Sequence, residues 1–512
     1  MTDSAANETD DGNSATAETP RADHPMDPIF HPRGIAIVGV PSTKPDSGGA
    51  PGSFLGSLLE LGYEKEHGLY PVNPKMTEID GLPVYPSLLD TPDPVDHVIS
   101  MVPARVVPML VDQCVEKGVR SLHLFTAGFA ETGDPELIAQ EDALIKKLTD
   151  NGIRAIGPNC MGIYVPDEQI AFMNGFPSEP GNVFLISQSG ANAGDIVHGL
   201  ARRGVRFSKG VSFGNGADVK AHHLLDYAAA DPQTEVIVAY MEGVQEGRQF
   251  FQALKRAARV KPTVILKGGI HEAGARAANS HTGSLAGSIQ IFEAATRQTG
   301  AIRAETMDDL QDIVVTLTTS AKNVRGTGVV LVSGGGGYAV LASDAIATAG
   351  LDVPQMPQST IDALREFIPV AGTSVNNPID TNVRGEEDQR RTLEIVACAA
   401  PADVVFTNSS DFGDPDPEES ELPREERIEK AEETSRKAAR IIAELQNETG
   451  TPFIALGRGR STSEIAIKAQ EAYGLEAYRH GVGMFASVAR AARAVGLIQQ
   501  WRKRREGLPE VF

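Results

Sequence analysis

The chain has 512 residues, more than one hydrophobic core usually serves, and typical domain sizes of about 100–200 residues set an expectation of roughly three domains. Asp and Glu outnumber Lys and Arg by 68 to 47, and the resulting net charge of −21 opposes general attraction to nucleic-acid phosphates or anionic lipid. Only three cysteines occur, Cys114, Cys160 and Cys398, too widely spaced for a zinc ribbon or a dense disulfide framework; with no membrane-length apolar run and no signal-peptide pattern, the expectation is a cytoplasmic protein without a metal site.

Residues 1–25 are rich in Asp, Glu, Ser, Thr, Asn and Ala with almost no large apolar residue, which predicts a disordered acidic tail. From Gly34 onward, short apolar runs alternate with amphipathic stretches. Gly34-Ile35-Ala36-Ile37-Val38-Gly39 is the first such run, and His97-Val98-Ile99-Ser100-Met101-Val102 is another. Continuous apolar runs separated by helical periodicity predict a parallel sheet with crossover helices, here over residues 26–165. A second series, over residues 166–322, opens at Asn182-Val183-Phe184-Leu185-Ile186 and includes Val236-Ile237-Val238-Ala239-Tyr240 and Thr263-Val264-Ile265-Leu266-Lys267. A third, over residues 323–512, opens at Gly328-Val329-Val330-Leu331-Val332 and runs into Ser333-Gly334-Gly335-Gly336-Gly337. Strand, glycine turn and helix recur in each, predicting three doubly wound α/β domains in tandem. The charge-dense, proline-punctuated stretch from Asp411 predicts an exposed loop leading into an amphipathic helix that ends near Leu445.

Several turns in this pattern suit phosphate chemistry. Gly39 ends the first strand and precedes Ser42, Lys44 and a helix from about Ser53, so backbone N–H groups and a helix dipole face the same turn. The G-x-G-x-x-G spacing is absent and Pro41 lacks an N–H, which argues against a nicotinamide-dependent dehydrogenase. Tyr70-Pro71-Val72-Asn73-Pro74-Lys75 leaves a strand into a polar turn, and Gly157-Pro158-Asn159-Cys160-Met161-Gly162 is a tight turn in which Cys160 reads as a small hydrophobe. Ser187, Gln188, Ser189 and Gly190 bring a polar cap and free backbone donors to a helix start. His281 lies among small residues in Asn279-Ser280-His281-Thr282-Gly283, after Lys267-Gly268-Gly269. An imidazole with one nitrogen fixed by a carboxylate can attack phosphorus with the other, and Glu242, at the end of a buried strand, is the natural carboxylate. A lone loop histidine is more often structural, and each of these turns also has an ordinary structural reading.

Taken in order, Tyr70-Pro71-Val72-Asn73-Pro74-Lys75, Gly157-Pro158-Asn159-Cys160, Ile186-Ser187-Gln188-Ser189-Gly190, Gly214-Asn215-Gly216-Ala217-Asp218-Val219, Ser280-His281-Thr282-Gly283 and Asn377-Pro378-Ile379-Asp380 resemble the α-type subunit of the nucleoside-diphosphate-forming acyl-CoA synthetases. The resemblance is closest to the ADP-forming acetyl-CoA synthetase branch, and it runs from about residue 28 to the C-terminus. It implies a Rossmann-like CoA-binding domain followed by two flavodoxin-like domains. It also implies interconversion of acyl-CoA, ADP and phosphate with carboxylate, CoA and ATP through acyl phosphate and phosphohistidine. His281 matches the phosphorylated histidine and Glu242 the stabilising carboxylate, while Ser187, Gln188, Ser189, Gly190 and Gly283 fall on the phosphate side. Gly39, Ser42, Lys44, Asn73, Pro74, Lys75, Val102, Asn159 and Cys160 fall on the CoA side, although Val40-Pro41 stands where related chains carry a pair of small residues. No stretch resembles the family's ATP-grasp domain, so ATP/ADP and Mg2+ are expected on a separate ATP-grasp β subunit in a hetero-oligomer, with a small carboxylic acid as substrate. Two other readings stay open: a nucleotide-independent phosphotransacylase, and a CoA-binding regulatory subunit without turnover.

Overall fold

The computed structural model describes residues 24–41, 50–274, 276, 288–381, 385–408, 422–457 and 463–507. Most of the expected acidic tail, Ser42, Lys44, His281, Gly283 and the first part of the charge-dense stretch therefore lie outside the described residues.

Three parallel sheets follow one another along the chain. The first comprises β1 (Gly34–Val38), β2 (Gly68–Val72), and, after a two-stranded hairpin of β3 (Glu78–Ile79) and β4 (Leu82–Pro83), β5 (His97–Ser100), β6 (Ser121–Leu124) and β7 (Arg154–Ile156). Its order is β2-β1-β5-β6-β7, all parallel. All five residues of β1 are buried, as covering helices on both faces require. The second sheet holds β8 (Gly162–Tyr164), β9 (Val183–Ser187), β10 (Phe207–Ser212), β11 (Val236–Met241), β12 (Thr263–Lys267) and β13 (Ile302–Ala304) in the order β13-β12-β11-β9-β10-β8. Apart from β8, which pairs antiparallel with β10, these strands are parallel in the flavodoxin order. The second sheet thus takes its edge strand from residues 162–164, before the expected start of that domain at residue 166. The third sheet, β14 (Val329–Val332), β15 (Val404–Asn408), β16 (Phe453–Leu456) and β17 (Gly483–Phe485), is parallel throughout. Bridges from Gly328 to Asp352 and from Val332 to Ile379 extend it on the far side of β14. The molecule is a Rossmann-like unit followed by two flavodoxin-like units.

One apolar cluster runs from Ile35 and Phe54 through Phe184 and Ile237 to Leu331 and Trp501, so the sheets share a core. The segment before β1 joins it: Phe30 stacks on Tyr227 of the second unit with ring centroids 4.5 Å apart.

Two stacked histidines are buried in the first sheet. His97 Nδ1 lies 2.7 Å from Ser121 Oγ, and His123 Nε2 lies 3.1 Å from the Cys160 carbonyl. Burial holds them down at about 3 and about 4, against about 6.5 for a free ring. Between those values the unfolded chain binds more protons, so folding stability falls as pH drops below about 6.5, by up to about 1.4 kcal/mol per pH unit for each ring. Urea unfolding at pH 7.5, 6.5 and 5.5 measures this slope. Replacing His123 by Asn is expected to remove about half of the contribution from the pair.

Candidate functional site

The CoA-side residues that the structure describes gather where the strands of the first sheet end. Gly39 has φ +93°, and a Cβ there would stand 2.9 Å from Val102 Cγ1, so glycine is required for β1 and β5 to release their loops side by side. Asn73 ties the same edge together: its Nδ2 donates to the Val40 carbonyl at 2.7 Å and its Oδ1 accepts from the Lys75 N–H at 2.9 Å. Pro74 and Lys75 are exposed. Asn159 takes a left-handed conformation with φ +58° and donates its N–H to the Thr126 carbonyl at 3.0 Å. Cys160 is buried with its sulfur 3.6 Å from the Leu124 carbonyl, and burial pushes the thiol up, which makes it a packing residue rather than a nucleophile. Any contact Cys160 makes with a ligand is left to its backbone.

The second unit closes on this edge through residues 213–219. Asn215 and Ala217 donate their N–H groups to the carbonyls of Pro158 and Gly157 at 3.1 and 3.0 Å, and Asp218 accepts from Arg154 Nε and from the Ala155 N–H, each at 2.8 Å. Gly214 sits at φ +55°, where an added Cβ would lie 2.3 Å from the Asn159 carbonyl oxygen. Replacement of Gly214 by Ala should therefore cost about 2 kcal/mol or more through strain and backbone displacement. It should also weaken CoA binding; thermal melting and calorimetric titration with CoA check the two effects. Asn215 Nδ2 donates to Glu131 Oε2 at 2.7 Å, and a cleft of about 510 Å³ opens beside it against the helix Pro135–Asp150.

The described residues expected on the phosphate side, Ser187 to Gly190, lie at the switch point of the second sheet, where β9 lies between β10 and β11. Ser189 caps the helix Gly190–Ala201 by accepting from the Asn192 N–H at 3.3 Å, and Ser187 Oγ donates to the Ser189 carbonyl at 2.6 Å. The free N–H groups of the first helical turn thus face the strand ends. A Cβ on Gly190 would lie 2.3 Å from Met161 Cγ, so this turn also abuts the chain just after the Asn159 turn.

Glu242 follows β11 directly and is half-buried. Gln188 Oε1 accepts from the N–H groups of Glu242 and Gly243 at 2.5 and 2.9 Å. Lys267, the last residue of β12, donates from Nζ to the carbonyls of Glu242 and Gly268 at 2.6 and 2.5 Å. Burial lowers the Lys267 ammonium from its ordinary value while the Glu242 charge raises it, and burial with the nearby Glu242 carboxylate pushes the Tyr240 phenol up to about 12. Ser187, Gln188, Ser189, Gly190 and Glu242 are thus brought together. Lys267 and Tyr240 were not singled out by the sequence reading. The available signal for Tyr240 was its place two residues before Glu242 along a strand, which puts both side chains on one face.

The third sheet repeats the arrangement in part. Asn408, fully buried at the end of β15, donates from Nδ2 to Ser333 Oγ at 3.0 Å, and the Gly335 N–H donates to Asp380 Oδ1 at 2.9 Å at the start of the helix Gly336–Thr348. Asn377 secures the neighbouring edge by accepting from the Leu331 N–H at 2.9 Å and donating to the Val329 carbonyl at 2.7 Å. Among the described residues no helix is long and apolar enough to cross a membrane, and no group of His, Cys, Asp and Glu is arranged to hold a metal ion.

Family models match the same succession of units. Residues 33–166 match a CoA binding domain, 180–317 a succinyl-CoA ligase like flavodoxin domain, and 329–395 a ligase-CoA domain. The class defined by fold and site is therefore a CoA-binding domain joined to a succinyl-CoA ligase like flavodoxin domain and a ligase-CoA domain. The chain is 36% identical over 391 residues to the acetate–CoA ligase (ADP-forming) II subunit alpha of Pyrococcus furiosus, covering 74% of this chain and 81% of that one. It is also 36% identical to the acetate–CoA ligase (ADP-forming) I of Archaeoglobus fulgidus, where the match takes in 75% of this chain and 54% of the longer relative. Among solved structures, an acetyl-coenzyme A synthetase 1 from Ca. Korarchaeum cryptofilum in complex with phosphate and ADP superposes with a TM-score of 0.75 at 28% identity, covering 94% of this chain and 98% of that one. The chain belongs to the family of ADP-forming acetate–CoA and related acyl-CoA ligases, as an α-subunit type.

Proposed function

We propose that this chain catalyses the acyl-transfer and first phosphoryl-transfer steps of an ADP-forming acyl-CoA synthetase, with His281 as the phosphoryl carrier. The observation that carries the reading is the convergence of Glu242, the capped helix start at Ser189 and the end of β12 at one switch point, since β12 leads into the segment that holds His281. CoA is proposed to lie along the strand ends of the first sheet, near Gly39, Ser42, Lys44, Asn73, Pro74, Lys75, Val102, Asn159 and Cys160. The glycine approach at Gly39 and the exposed Lys75 suit a ligand carrying phosphates.

In the direction of ATP formation, a phosphate oxygen attacks the thioester carbonyl, the C–S bond breaks, and the thiolate leaves to take a proton. The acyl phosphate then loses its phosphoryl group to one ring nitrogen of His281, as the P–O bond to the carboxylate breaks and the small carboxylic acid departs. Glu242 holds the N–H of the other ring nitrogen and balances the charge that develops on the imidazole. The N–H groups at the start of the helix Gly190–Ala201, with Gly283, receive the phosphate oxygens. In the last step an ADP oxygen attacks phosphorus, the P–N bond breaks, and neutral imidazole returns.

The nucleotide with Mg2+ is assigned to an ATP-grasp partner chain, a reading supported by relatives named as subunits alpha. Incubation with that partner and γ-labelled ATP is expected to place acid-labile, base-stable label on this chain. Label that persists in His281→Ala would overturn the assignment.

A further inference from the structure

We infer that Lys267 and Gln188 act as a pair of positioning residues that clamp Glu242 from both sides of its main chain. The inference rests on the reading of Glu242 and His281 given above and assigns a role to a residue outside the expected site. Lys267 is 6% exposed, yet its described hydrogen bonds go to two backbone carbonyls rather than to a carboxylate. Burying an ammonium is costly, so a fold places one at a strand end only where its surroundings use the charge or the donors. Here one donor fixes the Glu242 carbonyl at 2.6 Å, and another fixes the Gly268 carbonyl at 2.5 Å, where the chain leaves β12 toward His281.

The other side of Glu242 is held just as directly. Gln188 is 5% exposed, and its one side-chain oxygen takes both the Glu242 and the Gly243 N–H groups. Its own N–H donates to the Tyr240 carbonyl at 3.1 Å, which ties the phosphate-facing turn after β9 to β11. With its oxygen so engaged, Gln188 cannot be replaced by an apolar residue of the same size without leaving two strand-end N–H groups unpartnered. Glu242 therefore cannot turn its backbone freely, and its carboxylate starts from a fixed main chain beside the Tyr240 hydroxyl. The positive charge of Lys267 adds to the field in which a phosphoryl group would be received.

The test compares wild type, Lys267→Met, Gln188→Met and Gln188→Glu, each assembled with the ATP-grasp partner, by rapid-quench phosphorylation of His281. Loss of the clamp is expected to slow phosphorylation about 10- to 100-fold, with KM for acyl-CoA within about two-fold of wild type, and in Gln188→Met the two unpartnered N–H groups lower the melting temperature by a few degrees. Gln188→Glu, which keeps the acceptor, is expected to restore the melting temperature lost in Gln188→Met, while its added charge beside Glu242 and the phosphate site keeps the rate low. In a Glu242→Gln background, Lys267→Met should add less than about two-fold, because it acts through Glu242. Wild-type rates in both methionine variants overturn the clamp, as does an undiminished effect of Lys267→Met in the Glu242→Gln background. Absence of His281 phosphorylation in wild type would overturn the underlying reading instead. Should Lys267→Met fail to fold, Gln188→Met decides the matter alone: a phosphorylation rate within about two-fold of wild type overturns the clamp.

Discussion

Replacing His281 by asparagine is expected to cut net ATP formation on the order of 10⁴-fold or more, while conversion of acyl-CoA and phosphate into acyl phosphate persists within about ten-fold. The asymmetry follows from the order of bonds made and broken. On the proposed reading, attack of phosphate on the thioester needs CoA held at the first sheet and an anion held at the helix start, and neither group is the imidazole. Transfer onward to ADP has no acceptor once the ring nitrogen is gone, and asparagine offers an amide of similar reach but no nucleophile. Hydroxamate trapping of acyl phosphate, run beside a coupled ATP assay, separates the two steps. Wild type would then behave as a ligase only with its partner present, and as a slow phosphotransacylase without it. If His281→Asn left net ATP formation intact, the phosphoryl group would travel without this residue and the assignment of His281 as its carrier would fall. Equal loss of both steps would instead mean that the loop around His281 shapes the acyl site itself.

What the sequence could disclose about this site depends on how local each interaction is. The position of Glu242 at the end of a buried strand was legible, because the run from Val236 to Tyr240 is apolar throughout and ends at a charge. The cap at Ser189 was legible too, since Ser187-Gln188-Ser189-Gly190 precedes an amphipathic segment, and the helix Gly190–Ala201 starts there. The roles of Gln188 and Lys267 were not, because both require β9 and β12 to flank β11, and strand order is a property of topology rather than of spacing. The same limit hid β8: three residues, Gly162 to Tyr164, carry too short a pattern to show that they pair with β10, about 50 positions later. The helix expected to end near Leu445 runs over Arg424–Thr449, and its end is set by Gly450 in the left-handed region at φ 72°. That glycine was the available signal. Polar Gln446, Asn447 and Glu448 blurred the amphipathic pattern ahead of it.

Truncating Asp312 to alanine is expected to destabilise the protein by about 3–5 kcal/mol, although Asp312 lies in no part of the candidate site. Asp312 sits on the helix Met307–Thr318 with its side chain only 4% exposed, and it faces two arginines. Arg203 donates from Nη1 to Asp312 Oδ1 at 2.7 Å and from Nη2 to the Met484 carbonyl at 2.9 Å. Arg490, on the C-terminal helix Val488–Arg504, donates to both carboxylate oxygens at 2.6 and 3.0 Å. Burial lowers the Arg203 guanidinium while Asp312 raises it, and hydrogen bonding to Asp312 raises Arg490, so Asp312 is the buried carboxylate shared by two neighbouring cations, with the exposed Asp308 3.2 Å from Arg490 Nη1. The alanine variant leaves those cations facing each other without it, and Arg203 has little access to water. The effect should spread along the junction of the second and third units, because Arg203 also lies over the Phe485 ring at 5.2 Å and Phe485 closes β17. Urea unfolding of Asp312→Ala should therefore show a lower midpoint. Replacing the two arginines by methionine in the Asp312→Leu background should recover part of the loss, since apolar packing of similar volume removes the charges rather than stranding them. An unfolding free energy of Asp312→Ala within about 0.5 kcal/mol of wild type would mean that water reaches the arginines freely.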